Sequence, residues 1–164
     1  SITLVTYERG DLLGKLLALY TVSPFAIVAA EATIVAMTIY NNNGDFTPPV
    51  VILLGQFFNE GLCNLLKALI QVERPSGADR LDYGMPSSHS QFTGYLIPVA
   101  LRFFGPAGAA LAGLYTMVMV WARCYLGYHT LEQCIAGVLV GLAVGVSALR
   151  VIEWLKPKGT AKAK

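Results

Sequence analysis

The sequence predicts an all-α fold, a polytopic bundle of about five transmembrane helices forming one domain. Three observations predict it. Of the 164 residues, 55% are hydrophobic and only 13% are charged, whereas a water-soluble domain carries about 25% charged residues. Five apolar stretches approach the roughly 20 residues that a helix needs to cross a hydrocarbon core about 30 Å thick. Little sequence is left between them for a soluble domain or a long linker.

The elements follow in order. Residues 1–23 read as an N-terminal interfacial segment, polar from Ser1 to Asp11 and apolar from Leu12 to Tyr20. The apolar part is expected either to lie at the membrane surface or to extend the next helix across a kink at Pro24. No short apolar core with a cleavage site precedes the first helix, which is therefore expected to act as its own insertion signal. That helix spans about Pro24 to Tyr40 and ends at Asn41-Asn42-Asn43-Gly44-Asp45 and Pro48-Pro49. The second runs from about Pro49 to Gln71, and a polar loop follows from Glu73 to Gly84. The third is about Ser88 to Phe104, the fourth about Pro106 to Arg123, and the fifth about His129 to Leu155. Gly137, Gly141 and Gly145 recur every four residues on one face of the last helix, a spacing that lets two membrane helices approach closely. Residues 156–164 form a Lys-rich tail, so the single membrane-embedded domain takes in residues 1–164.

Composition also excludes. A net charge of +2 with no basic stripe gives no footing for nucleic acid. Cys63, Cys124 and Cys134 are odd in number and lie in apolar runs, which fits neither a disulfide framework nor a metal site. No obligate protein partner is evident.

Polar residues stand where they are costly. Gln56, Asn59, Glu60, Asn64 and Lys67 fall on one side of the second helix at about 100° per residue. Lys67 alone could snorkel to the headgroups, but Asn59 and Glu60 lie about two turns deeper. A wet functional cavity explains them better than a structural polar face. Glu31, in the first helix, is expected to pair inside the bundle.

Three clusters lie at helix ends. Lys67 and Arg74-Pro75 close the second helix, Pro86-Ser87-Ser88-His89 opens the third, and Arg123 and His129 bracket the turn between the fourth and fifth. Counting membrane crossings puts all of them on one face. Arg forks and a Lys ammonium bind phosphate oxygens, and backbone amides at a helix start, such as those of Ser88 and His89, form an anion cradle. Two histidines allow one to attack phosphorus while the other protonates the leaving oxygen. No metal or other cofactor is required. A non-catalytic membrane protein that binds lipid phosphate would need only the cations. A hard-cation site at Asp79 and Asp82 would need more oxygen ligands, and two loop carboxylates are usually just solvated.

These clusters resemble the signature of the type 2 phosphatidic acid phosphatase superfamily: Lys-x6-Arg-Pro, Pro-Ser-x-His, and Arg-x5-His. The resemblance covers nearly the whole chain and implies the helical core shared with the vanadium haloperoxidases. It implies that Lys67, Arg74, Ser87, Ser88 and Arg123 bind substrate phosphate, that His129 is the nucleophile forming a phosphohistidine, and that His89 is the general acid. The wording around the motifs, Asn59-Glu60-Gly61, Tyr83-Gly84-Met85-Pro86-Ser87-Ser88-His89-Ser90-Gln91-Phe92 and Tyr125-x-x-Tyr128-His129-Thr130-x-x-Gln133, is similar to the dolichyl diphosphate phosphatases. That implies a hydrolase of the endoplasmic reticulum membrane that converts dolichyl diphosphate to dolichyl phosphate and so recycles the lipid carrier for protein N-glycosylation. The alternatives within the superfamily act on undecaprenyl diphosphate or phosphatidate-type lipids.

Three positions depart from the superfamily pattern. Ser88 fills the usual Gly slot, Ala122 replaces Ser, and Gln133 sits where Asp is usual. A nucleophilic His needs its other ring nitrogen held by an acceptor. Gln133, one turn after His129, is favoured as that orienting residue, with Glu132 second and Glu60 a possible contributor from another helix. Arg102, Arg150 and the tail lysines lie opposite the clusters, so the positive-inside rule predicts a cytoplasmic C-terminal tail and a lumenal or extracytoplasmic active site. Tyr83, Tyr125 and Tyr128 would sit at the interface, as aromatic-belt residues or as the lining of a lipid entrance.

Overall fold

The computed structural model describes residues 10–41, 45–75 and 82–156. They form five α-helices: α1 Leu12–Tyr20, α2 Ser23–Tyr40, α3 Thr47–Ile70, α4 Ser88–Tyr125 and α5 Leu131–Leu155. Among the described residues, four segments are long and apolar enough to cross a membrane: Leu12–Tyr40, Thr47–Ile70, Ser88–Tyr125 and Leu131–Leu155.

Asp11 starts α1, its carboxylate accepting the Gly14 N–H at 2.8 Å. The break between α1 and α2 falls at Thr21 and Val22, not at Pro24, which sits in the first turn of α2. Proline suits that position because its missing N–H would have had no helical partner. Two contacts fix the break against α4. The Tyr20 hydroxyl donates to the Tyr115 carbonyl at 2.8 Å, and the Ser23 and Tyr115 hydroxyls lie 2.6 Å apart.

Helix α4 is two legs, as the sequence predicts. Gly105 has φ 70°, ψ −165°, and Pro106 follows with no N–H to continue the ladder. Gly108 then lies against Ala100 and Phe104, so the second leg turns back along the first. Helix α5 packs most extensively on α4. Its Gly137, Gly141 and Gly145 face the backbone of Ser87, Gln91 and Tyr95 so closely that an added Cβ would clash at each. The glycine seam thus brings the start of α5 against the start of α4.

The core lies between these helices and α3, around Tyr95, Val99, Val144 and Ala148, with the Tyr95 hydroxyl donating to the Ile52 carbonyl at 2.8 Å. Outward surfaces are apolar, with Leu54, Phe57, Phe58, Leu65 and Leu69 of α3 exposed, as acyl-chain contact requires. The polar side of α3 is narrower than its sequence suggests. Gln56, Asn59, Cys63 and Lys67 are buried, whereas Glu60 and Asn64 are exposed beside them. The buried four span about 80° of the helix, and each exposed residue lies beyond that arc. Asn59 and Gln91 knit α3 to α4, each side-chain amide donating to the other residue's backbone carbonyl at 3.2 and 2.7 Å. Glu31 is half-buried, and its Oε2 has no hydrogen-bond partner among the described residues.

Candidate active site

The turn between α4 and α5 sets the spacing of Arg123 and His129. Gly127, at φ 70°, lets the chain reverse. The Arg123 carbonyl then accepts from the N–H groups of Tyr128 and His129 at 3.1 and 3.3 Å. Thr130 caps α5 in a reciprocal capping box with Gln133. The same turn buries Tyr128 under the Arg123 guanidinium, 4.4 Å from the ring centroid. Tyr128 is therefore a packing partner of a cation, not an interfacial residue; Tyr83 and Tyr125 are exposed.

His129 is buried, and both ring nitrogens are engaged. Nδ1 lies 2.9 Å from the Gly84 carbonyl and 3.2 Å from Gln133 Oε1. Both partners are acceptors, so Nδ1 carries the hydrogen. Nε2 is left with its lone pair and accepts from Arg74 Nη1 at 2.9 Å. Burial depresses the pKa of His129, and Arg74, Arg123 and Lys67 depress it further, to about 2. The ring is a neutral base with one face of its reactivity aimed at a cation cluster.

Gln133 joins the three sequence clusters. Its Oε1 also accepts from Thr130 N at 3.2 Å, its Nε2 donates to the Glu73 carbonyl at 2.7 Å, and its own carbonyl accepts from Ser87 N at 3.0 Å. Gly84 permits this, since a Cβ there would lie 2.6 Å from the Gln133 amide. Arg74, next to Glu73, donates from Nη1 to the Tyr128 carbonyl at 2.9 Å.

The cations have an internal partner that sequence reasoning passed over. Asp82 accepts from Arg74 Nε at 3.0 Å and Nη2 at 2.8 Å, and from Lys67 Nζ at 3.3 Å. Partial burial raises the pKa of this carboxyl, but hydrogen bonds and charge from Arg74 and Lys67 outweigh that and hold it at about 2. Asp82 is an ion-paired residue of the site, not a solvated loop carboxylate; Asp79 lies outside the described residues.

At the start of α4, Ser87 is buried and accepts from the Ser90 hydroxyl at 3.2 Å. Ser87, at the N-cap of α4, makes no capping hydrogen bond through its side chain. His89 is half-buried, and its Nε2 donates to the Thr21 carbonyl at 3.1 Å, a tie to the α1–α2 break. Glu132 and Glu60 are both exposed and are not brought to His129. Glu132 follows Thr130 on the outer side of the first turn of α5, and Glu60 sits about 100° round from buried Asn59. Orientation of His129 falls instead to Gln133 and to the Gly84 carbonyl. A backbone carbonyl has no signature in sequence; the nearest signal was Gly84 itself, two residues before Pro86.

A family model for the PAP2 superfamily matches residues 48–157, which takes in every residue of this cluster. Dolichyldiphosphatase 1 of Homo sapiens is 31% identical over 170 residues, covering 91% of this chain and 68% of that protein. Dolichyldiphosphatase of Saccharomyces cerevisiae is 30% identical over 163 residues, covering 87% of this chain and 65% of that protein. Among solved structures, a transmembrane PAP2-type phosphatidylglycerolphosphate phosphatase from Bacillus subtilis superposes with a TM-score of 0.74 at 21% identity, covering 92% of this chain and 82% of that one. That likeness establishes the fold.

Proposed function

The chain belongs to the PAP2 superfamily, and from that premise we propose that it is an integral membrane lipid phosphatase hydrolysing dolichyl diphosphate to dolichyl phosphate and phosphate. The observation that carries the reading is the state of His129: buried, neutral, hydrogen-bonded at Nδ1 and presenting Nε2 to Arg74.

The terminal phosphate would lie among Lys67, Arg74, Arg123 and the first-turn amides of Ser88 and His89, with Ser87 beside them. Arg74 Nη1 then donates to a phosphate oxygen instead of to His129 Nε2. Nε2 attacks phosphorus, and the bond to the bridging oxygen breaks. Protonated His89 gives its proton to that oxygen, and dolichyl phosphate leaves. The Gly84 carbonyl and Gln133 Oε1 steady the charge that the attacking imidazole acquires. Water, deprotonated by the now neutral His89, hydrolyses the phosphohistidine and releases phosphate. Fixed cations stabilise the charge on the equatorial oxygens, so the chemistry proceeds without a metal.

A second observation supports a long-chain lipid. An apolar groove of about 660 Å³ runs between the two legs of α4 and the start of α5, lined by Ile97, Gly113, Met117, Trp121 and Leu131. Leu131, the first residue of α5, is two residues from His129, so the groove reaches the end of the bundle that carries the nucleophile. The names of the human and yeast relatives favour a dolichyl chain; a site on the lumenal side of the endoplasmic reticulum and a role in recycling the carrier for N-glycosylation are part of the same proposal.

The test is phosphate release from dolichyl diphosphate by purified protein in detergent with excess chelator. Release that is lost in His129→Ala, together with acid-labile phosphate trapped on the wild type alone, is expected. No release from dolichyl diphosphate beside brisk release from undecaprenyl diphosphate or phosphatidate would reassign the substrate. Binding of these lipids with no turnover at all would make the protein a lipid-phosphate binder.

A further inference from the structure

We propose that Asp82 is a built-in competitor for the phosphate cations, admitting headgroups with two or more negative charges and turning away phosphodiesters. The proposal rests on the phosphatase reading of the site and adds its selectivity.

The geometry is that of an anion already seated. Both oxygens of Asp82 are used: Oδ1 takes Arg74 Nε, while Oδ2 takes Arg74 Nη2 and Lys67 Nζ. This is the two-pronged pattern by which a guanidinium holds a phosphate. The cations are nearly sealed, with side-chain exposures of 4% for Arg74 and 10% for Lys67, whereas Asp82 is 49% exposed. The carboxylate therefore approaches from the open side, the side a headgroup must also use. Two buried cations without an anion would repel each other at a cost, and Asp82 removes that cost while the site is empty.

Entry of substrate is then an exchange of one anion for another. A phosphodiester carries a single negative charge, as Asp82 does, so the exchange gains nothing in charge and loses the tether that holds Asp82 nearby. A phosphomonoester carries about 1.5 to 2 negative charges near neutral pH, and a terminal diphosphate carries more, so for these the exchange is favourable. The distinction matters for a protein immersed in membrane, where phosphodiester headgroups crowd the same face at far higher concentration than any phosphorylated polyprenol. Asp82 stays ionised at any physiological pH, so the filter is constant.

Two binding measurements on purified protein in detergent test this without relying on turnover. Inorganic phosphate, chiefly a dianion at about pH 8, is titrated into wild type and Asp82→Asn, and phosphatidylglycerol micelles are titrated in parallel. Asp82→Asn is expected to bind both more tightly by a similar factor, roughly fivefold as befits loss of a half-exposed ion pair, which lifts phosphatidylglycerol from negligible to measurable binding. Asp82→Glu should keep the wild-type discrimination, and it serves if the Asn variant does not fold. Weaker phosphate binding by Asp82→Asn would overturn the proposal, because Asp82 would then be building the cation site. Equal binding by wild type and variant would overturn it too. If phosphate binds as expected but dolichyl diphosphate is not hydrolysed, the filter stands and the phosphatase reading falls. If hydrolysis proceeds and the variant binds like wild type, the reverse holds.

Discussion

Replacing Gln133 separates two roles that the superfamily's Asp would combine. Gln133→Leu removes one of two acceptors on His129 Nδ1 and leaves the other, the Gly84 carbonyl at 2.9 Å. The tautomer therefore survives. Removing the sole orienting carboxylate of a catalytic His costs about 10⁴-fold in other hydrolases. Here the loss in kcat should be about ten- to a hundredfold, from looser positioning of His129 and Arg74. A stability cost should accompany it. The Glu73 carbonyl at 2.7 Å and the Thr130 N–H at 3.2 Å both lose their partner, at about 0.5–1.5 kcal/mol for each, since both residues are exposed and water can replace the bond. A drop of roughly 1–3 kcal/mol is expected. Gln133→Asp keeps an acceptor but, as a carboxylate, has no N–H to give the Glu73 carbonyl, so it should retain more activity than Gln133→Leu while remaining destabilised. Glu132→Gln should change neither, since Glu132 is exposed. The assay is phosphate release at saturating lipid, paired with thermal melting in the same detergent. A 10⁴-fold loss in Gln133→Leu with unchanged melting would refute the argument, because it would make Gln133 the only orienter and the Glu73 bond idle.

The remaining predictions concern the reacting groups, pH, membrane orientation and the groove. His89→Ala should lower turnover by about 10² or more, and a substrate whose leaving group needs no proton should partly rescue it but not His129→Ala; equal rescue would overturn the two roles. His129 has its pKa lowered from 6.5 to about 2 in the folded chain, so the unfolded chain takes up a proton that the folded one refuses. Stability should fall as pH drops below about 6.5, by up to about 1.4 kcal/mol per unit, and His129→Asn should flatten that slope in pH-dependent melting. A membrane-impermeant label should reach Glu73 from the lumenal side and Lys156 from the cytoplasmic side; labelling of both from one side would break the count of crossings. Gly113 has open space where a Cβ would stand, so Gly113→Phe should fill the groove and raise KM for dolichyl diphosphate several-fold while sparing a short-chain analogue, measured with both substrates.

The bundle was legible because a bilayer constrains sequence so tightly. Each membrane helix must run long and apolar, so Gly105-Pro106 could be read as a break from composition alone, and the glycines of α5 as a seam. Helix α3 shows where such reading stops. Five polar residues share one side by angle, yet only the arc from Asn59 to Lys67 faces the bundle. Periodicity gives a residue's direction round its own helix but not the width of the neighbours' footprint, which α4 and α5 set together.

The site divides along the same physical line. Residues that act through charged or ring side chains at helix ends, Lys67, Arg74, Arg123 and His129, stand out in sequence because such groups are costly near a membrane and lie at fixed spacings. Residues that act through the backbone do not stand out. The Gly84 carbonyl on His129, the Glu73 carbonyl on Gln133 and the Thr21 carbonyl on His89 are supplied by chain geometry, and any residue type carries that atom. Asp82 is a third case. Its side chain is visible in the sequence, but its partners are eight and fifteen residues away across a loop, and a loop carboxylate is ordinarily solvated. Only the burial of Lys67 and Arg74 changes that expectation, since two sealed cations need an anion. That requirement makes the resting site a bound state, with Asp82 on Arg74 Nε and Nη2 and His129 Nε2 on Nη1, so on the proposed reading substrate phosphate must take over both sets of contacts.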